Sequence, residues 1–158
     1  MKLRRLKISR DGPGRFVELA QLEREAFSDH RLSPSQQSAQ RFLRMRKHVV
    51  LVAEHDGVAI GYLVVMLGSP AHVYALAVSA AHRGRGIGSA LLAAAEGYAR
   101  RCAEAITLEC RESNLGSARL YRRHGYHECG RLAGYYGDGS DALCFSKSLV
   151  SDNLRAAA

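Results

Sequence analysis

The sequence predicts an α/β (α+β) fold: a mixed, mostly antiparallel sheet with helices on both faces, in the order β-α-α-β-β-β-α-β-α-β-β. Three observations predict it. Runs rich in β-branched residues alternate with helical segments, and strands separated by a helix tend to pair parallel while hairpin strands pair antiparallel. Asp56-Gly57 joins two such runs with a dipeptide that favours positive φ at both centres of a two-residue hairpin turn. Ile87, Leu91, Leu92, Ala95, Ala99 and Cys102 recur at helical spacing on one stripe. The chain has 158 residues, 47% of them hydrophobic, enough to bury one full-sized core. Residues 1–150 are therefore expected to form a single domain and residues 151–158 a frayed tail.

Leu3, Leu6 and Ile8 mark a short first strand, after which Asp11-Gly12-Pro13-Gly14 turns the chain into a helix carrying Phe16, Val17, Leu19, Ala20, Leu22, Glu23 and Ala26 and ending near Phe27-Ser28. Ser33-Pro34 reads as the N-cap and first-turn proline of a second helix running to about Met45. Val49–Glu54 and Val58–Leu67 form the hairpin about Asp56-Gly57, and His72–Val78 forms the next strand. Arg83–Gly88 then leads into the apolar-striped helix. Ile106, Leu108 and Cys110 face one side of a further strand, with Thr107, Glu109 and Arg111 on the other. A helix from about Asn114 to His124 stops at Gly125, and Tyr126–Leu132 and Ala142–Leu149 complete the sheet as a long hairpin across Ala133–Asp141. This order excludes an all-parallel dinucleotide-binding sheet.

Lys and Arg outnumber Asp and Glu 23 to 15, a net charge of +8 that favours anionic partners such as phosphorylated cofactors, acidic proteins or nucleic acid. Basic residues gather at Lys2–Arg5, Arg41–Lys47 and Arg119–Arg123, but without the interleaved aromatics of a single-strand binder. They read as solvated faces, and nucleic acid is not the expected partner. Cys102, Cys110, Cys129 and Cys144 lie far apart with no C-x-x-C pair, the pattern of buried thiols in a reducing cytoplasm. The seven histidines show no paired-ligand spacing, so no metal is expected. No run approaches the roughly 18 apolar residues of a membrane span, which predicts a protein of the cytoplasm with no membrane partner.

Chemistry concentrates in Arg83-Gly84-Arg85-Gly86-Ile87-Gly88, between a strand and a helix N-terminus. Free backbone N–H groups and the helix dipole attract an anion there, and glycine lets the backbone approach a phosphate closely. Arg83 and Arg85 add countercharge, and Ser89 can donate from its hydroxyl or backbone, so the loop suits a pyrophosphate. The spacing is neither G-x-G-x-x-G nor G-K-[ST], and glycine spacing alone is equally that of an ordinary strand-to-helix turn.

Ala75-Leu76-Ala77-Val78 followed by Arg83-x-x-Gly86-x-Gly88 resembles the cofactor-binding motif of the GNAT acetyltransferase superfamily. Leu108-Glu109-Cys110-Arg111-Glu112-Ser113-Asn114, continuing through Leu120-Tyr121 to Gly125-Tyr126, resembles that family's downstream motif. Tyr135-Tyr136-Gly137-Asp138-Gly139-Ser140-Asp141-Ala142 resembles the ending of RimI-type protein N-acetyltransferases. The resemblance covers roughly the C-terminal half of the chain. It implies acetyl-coenzyme A as cosubstrate, bound by the loop Arg83–Ser89 and by a splayed strand at Leu76, Ala77 and Val78, where a backbone amide would stabilise the oxyanion.

Amine acetylation requires a base for the amine and an acid for the departing thiolate. Glu109, near the end of an apolar strand, is the expected base, because partial burial favours proton uptake. RimI-type enzymes carry a glutamate at the matching position; the residues alone read as a salt bridge to a nearby arginine such as Arg111 or Arg119. The resemblance makes Tyr121 the proton donor to coenzyme A, whereas the residues alone read as core packing. Asn114 is implied to bond the cofactor arm or a bound water. Gly137–Asp141 lacks both the nucleophile-elbow and calcium-loop patterns and reads as a hairpin turn.

The resemblance points to a protein N-terminal α-amine as the acceptor. Its pKa of about 7.7–8.0 lies about 2.5 units below that of lysine, worth roughly 3.4 kcal/mol in deprotonation cost. The sequence also admits a lysine or a small amine such as an antibiotic, polyamine or amino acid as acceptor. A noncatalytic acyl-coenzyme A sensor and a nucleic-acid-binding module are the readings from another class.

Overall fold

The structure, a computed structural model, describes residues 6–11, 21–22 and 47–150. It contains a seven-stranded sheet of β1 (Leu6–Asp11), β2 (His48–His55), β3 (Val58–Met66), β4 (Ala71–Val78), β5 (Ala105–Arg111), β6 (His127–Leu132) and β7 (Ala142–Ser148), together with α1 (Ile87–Ala99) and α2 (Leu115–Arg123). The spatial order is β1-β2-β3-β4-β5-β7-β6. All neighbours are antiparallel except β4 and β5, the pair connected through α1. This is the mixed sheet the sequence predicts. The first predicted helix is described only at Gln21 and Leu22, both helical, and the second predicted helix and the tail lie outside the described residues.

Alternation along β2 divides the core. Val49, Leu51 and Ala53 join Ile87, Leu91, Leu92, Ala95 and Ala99 of α1 and Ala118 and Tyr121 of α2 in one buried cluster, while Val50 and Val52 join Tyr62, Val64, Ala77 and Leu22 in another. A strand with apolar residues at every position is what a sheet covered on both faces requires. Asp56 and Gly57 both have positive φ, 51° and 80°, as the hairpin turn needs.

Helix ends follow local chemistry. Asn114 Oδ1 accepts from Ser117 N at 3.1 Å, capping α2, and Gly125 with φ 81° ends it. The stripe predicted to reach Cys102 stops sooner: α1 ends at Ala99, with Arg100 as its C-cap. Cys102 therefore leaves the helical stripe and is exposed, as is Cys129 on the edge strand β6, while Cys144 is half-buried and only Cys110 is in the core. The expectation of four buried thiols is corrected accordingly. Burial pushes the Cys110 thiol up to about 11, with smaller influences from Arg122, Glu128 and Cys144.

An irregularity in β4 shapes this end of the sheet. Val65 pairs with Val73 and Val64 with Ala75, so Tyr74 is an extra residue, a β-bulge. Before it Ala71 and Val73 belong to the cluster beneath α1; beyond it Ala75 and Ala77 face the opposite cluster while Leu76 and Val78 pack toward α1. The bulge exchanges the faces of the strand. It also coincides with the end of β4–β5 pairing, which covers only Ala71–Val73 against Ile106–Leu108.

Gly61 holds this end of β4 close to α1. A Cβ there would lie 3.0 Å from the Ala77 carbonyl oxygen, 3.3 Å from Ile87 Cγ2 and 3.4 Å from Leu91 Cδ1. Gly61→Ala is expected to destabilise the fold by about 1–3 kcal/mol in urea unfolding, because backbone rather than a flexible side-chain tip must yield. An unchanged midpoint would show that β4 can shift freely.

Candidate active site

A cavity of about 500 Å³ lies where the end of β4, the Arg83–Ser89 loop and the start of α2 meet. It brings together Leu76, Ala77, Val78, Arg83, Gly84, Gly86, Ile87, Gly88, Ser89 and Asn114, ten of the cofactor-binding residues expected from the sequence. Arg85 and Tyr121 are not among its lining residues. His82, Gly116, Ser117, Leu120 and Arg123, which the sequence alone does not single out for this site, do line it. Arg123 sits in a basic run that the sequence alone reads as solvated, and only its place at the end of α2 turns it toward the cavity wall.

The loop has the features of an anion cradle. Gly84 and Gly86 have φ of 73° and 82°, a conformation that costs other L-residues. Gly86 is the N-cap of α1, so no side chain caps the first N–H groups, and the first turn holds no acidic residue. Those donors and the helix dipole are left for a ligand. Arg83 Nε donates to the Val78 carbonyl at 3.1 Å, fastening the loop to the end of β4. These residues fit a pyrophosphate-bearing ligand.

Glu109 lies on the other face of β5. Leu108 and Cys110 on either side of it belong to the helix-side core, so the alternation points Glu109 away from α2. Its side-chain partner among the described residues is His72, neither of the arginines expected: His72 Nε2 lies 3.1 Å from Glu109 Oε2, and the glutamate side chain is 20% exposed. Arg111 instead pairs with Asp138. His72 Nδ1 lies 2.9 Å from Thr107 Oγ1, whose hydroxyl donates to the Ala71 carbonyl at 3.4 Å. His72 pairs in register with Thr107, so neighbouring parallel strands put imidazole, hydroxyl and carboxylate on one face. The signal missed in the sequence was polarity at matching positions of two strands flanking a helix.

Tyr121 occupies the helix-side core, 5% exposed, with its ring 5.5 Å from Phe145 edge to face and 6.1 Å from Tyr126. Burial raises its phenol well above the ordinary tyrosine range. Cys110, Tyr136 and Glu109 add to this and a hydrogen bond with Ser117 opposes it. Tyr121 and Glu109 thus lie on opposite sides of β5.

Residues 16–126 match the Acetyltransferase (GNAT) family. The chain belongs to this family. It is 39% identical over 109 residues to an uncharacterized N-acetyltransferase of Methanocaldococcus jannaschii, covering 67% of this chain and 70% of that one. It is 34% identical over 113 residues to an N-alpha-acetyltransferase of Sulfurisphaera tokodaii, covering 62% and 68%. The fold is similar to that of the ribosomal-protein-S18-alanine N-acetyltransferase of Escherichia coli, with a TM-score of 0.83 at 20% identity over 93% of this chain and 96% of that one. The GNAT chain is an acetyltransferase, and its fold is the one the sequence predicts.

Gly86→Val in this GNAT chain is expected to raise the coenzyme A dissociation constant at least ~10-fold by calorimetry, because its φ is forbidden to a β-branched residue. Gly57→Asn in the remote hairpin should leave it unchanged, since asparagine tolerates the left-handed region. Equal affinity of the two variants would remove the loop from the binding site.

Proposed function

We propose that the chain transfers acetyl from acetyl-coenzyme A directly to the N-terminal α-amine of a protein, with Glu109 as base and Tyr121 as acid. The observation that carries this reading is the placement of the two groups on opposite sides of β5, beside the point where β4 and β5 cease to pair. A donor held in the cavity on the helix side and an amine arriving on the Glu109 side meet through that gap. In this reading the Arg83–Ser89 loop holds the pyrophosphate and the β4 backbone at Leu76–Val78 holds the pantetheine arm. Asn114 spends its carbonyl oxygen on the α2 cap, so its amide nitrogen is the group left for the ligand.

Glu109 takes a proton from the ammonium, and His72 fixes the carboxylate while Thr107 fixes His72. One ordered carboxylate suffices for an α-amine, whose deprotonation costs less than that of lysine by roughly 3.4 kcal/mol. Tyr121 delivers a proton to the coenzyme A sulfur as the carbon–sulfur bond breaks. Its raised phenol keeps that proton through neutral and alkaline pH. The relative from Sulfurisphaera tokodaii, named an N-alpha-acetyltransferase, supports the α-amine assignment.

The test is incubation with acetyl-coenzyme A and free-N-terminus peptides, N-blocked lysine peptides or small amines, following thiol release and product mass. Acetate on the free α-amine is expected. Acetylation of only blocked peptides or small amines would discard the acceptor assignment, and binding without thiol release would leave a sensor. Glu109→Gln and Tyr121→Phe should each lower kcat roughly 100-fold. The wild-type kcat should show no alkaline fall below about pH 10, because the Tyr121 phenol is displaced upward. A fall near pH 8 that disappears in Tyr121→Phe would contradict its role as the acid.

A further inference from the structure

Residues 133–141 connect β6 to β7, and their contacts place them over the face of β5 that carries Glu109. Arg111 lies two residues after Glu109 on that face. Its Nη1 donates to the two Asp138 oxygens at 3.0 and 3.3 Å and to Ser140 Oγ, and its guanidinium carbon sits 4.1 Å from the centroid of the Tyr136 ring. Tyr136 meets Tyr135 edge to face, with centroids 5.1 Å apart. Burial raises both phenols, Tyr136 to about 12, and the Glu109 carboxylate is among the lesser causes for each. The Tyr136 ring, stacked on Arg111, lies on the face of β5 that carries Glu109 two residues away.

The bonds within the connection fix its shape but not its position over the sheet. Gly139 N donates to the Tyr136 carbonyl at 2.8 Å, Tyr136 N to the Ser140 carbonyl at 3.1 Å, and Ser140 N to Asp138 at 3.1 Å. At the base of the connection Arg131 pairs with Asp141 and Glu112, next to the start of β7. Among the described residues, the polar link from the tip, residues 135–140, to β5 runs through Arg111. Its Nη2 is buried and has no hydrogen-bond acceptor among the described residues. The cation is thus held by Asp138, Ser140 and the face of Tyr136, and a half-buried guanidinium without its carboxylate is left uncompensated.

We propose that Arg111 is a positioning residue for acceptor binding: it clamps the Tyr135–Tyr136 tip over Glu109 and so sets how an acceptor chain lies against the base. This rests on the acetyltransferase function proposed for the site. Arg111 does not line the donor cavity, so its effect is separable from donor binding. Tyr135, 52% exposed beside the clamped ring, offers an apolar face to the acceptor.

The experiment compares wild type with Arg111→Gln, Asp138→Asn and the double variant. Hydrogen exchange of amides 134–140 should speed up at least ~10-fold in each variant, while β5 and α1 amides keep their protection. With the free-N-terminus peptide that wild type acetylates best, the peptide KM should rise roughly 10-fold, with the KM for acetyl-coenzyme A and kcat at saturating peptide little changed. The double variant should be no worse than either single one, since both remove one contact. Unchanged exchange in the tip of Arg111→Gln would overturn the clamp. Parallel losses in both KM values together with a lower melting temperature would make Arg111 a general structural residue instead. Asp138→Asn in the exposed turn guards against an Arg111 variant that misfolds. If wild type acetylates no free-N-terminus peptide, the acceptor assignment fails, while the exchange comparison still decides the clamp.

Discussion

Tyr74 is one residue too many for the ladder between β3 and β4, and the geometry of the site depends on that excess. A bulge bends its strand and strengthens the local twist, and here it falls where β4 stops pairing with β5. With it, the sheet is continuous at one end and open at the other, and both ends keep an apolar face toward the helices because the bulge exchanges which residues face them. Gly61 permits this by leaving room for the displaced Ala77 carbonyl.

In the proposed reaction, the opening lets a donor bound on the helix side meet a base on the other face. On the helix side lie the uncapped start of α1 and the cavity with Arg83 and Arg123. On the other side lie Glu109, His72 and Thr107, held to each other by short polar contacts. A closed parallel ladder would bury its backbone groups in hydrogen bonds and leave no passage between the faces. Strand separation supplies a passage without disturbing the core, because β5 remains fully paired to β7 along Ala105–Arg111.

Much of this was legible in the sequence because local chemistry decided it. Asp56-Gly57 specifies its turn, Gly125 its helix end, and Gly84 and Gly86 of the Arg83–Gly88 loop adopt the positive φ that glycine adopts cheaply. What was not legible depends on juxtaposition. The partnership of His72 and Glu109, 37 positions apart, follows from parallel register, which no local signal announces. Arg111, two residues from Glu109, looked like its natural partner, but adjacent residues of one strand point to opposite faces and next-nearest ones lie well apart along it, so each found a partner on another element. The length of the α1 stripe was overread because Cys102 matches the helical period, yet the helix ends at Ala99, before that residue is reached. Cys129 was misplaced because β6 is an edge strand, a status that depends on where β7 inserts.

Net charge poses a remaining physical problem, since a chain of +8 should repel a cationic amine. Local pairing resolves it. On the side of Glu109, Arg111 is matched by Asp138. Hydrogen bonds from Ser140, with help from Arg111, hold the Asp138 carboxyl down to about 2, so the compensation persists across any working pH. Arg83 and Arg123, by contrast, line the cavity, where a pyrophosphate would meet them. Among the described residues, positive charge at Arg83 and Arg123 lines the cavity an anion would enter, while Arg111 on the Glu109 face is matched by a carboxylate. Complementarity at such sites is a matter of the local field, screened beyond about 10 Å, rather than of the net charge.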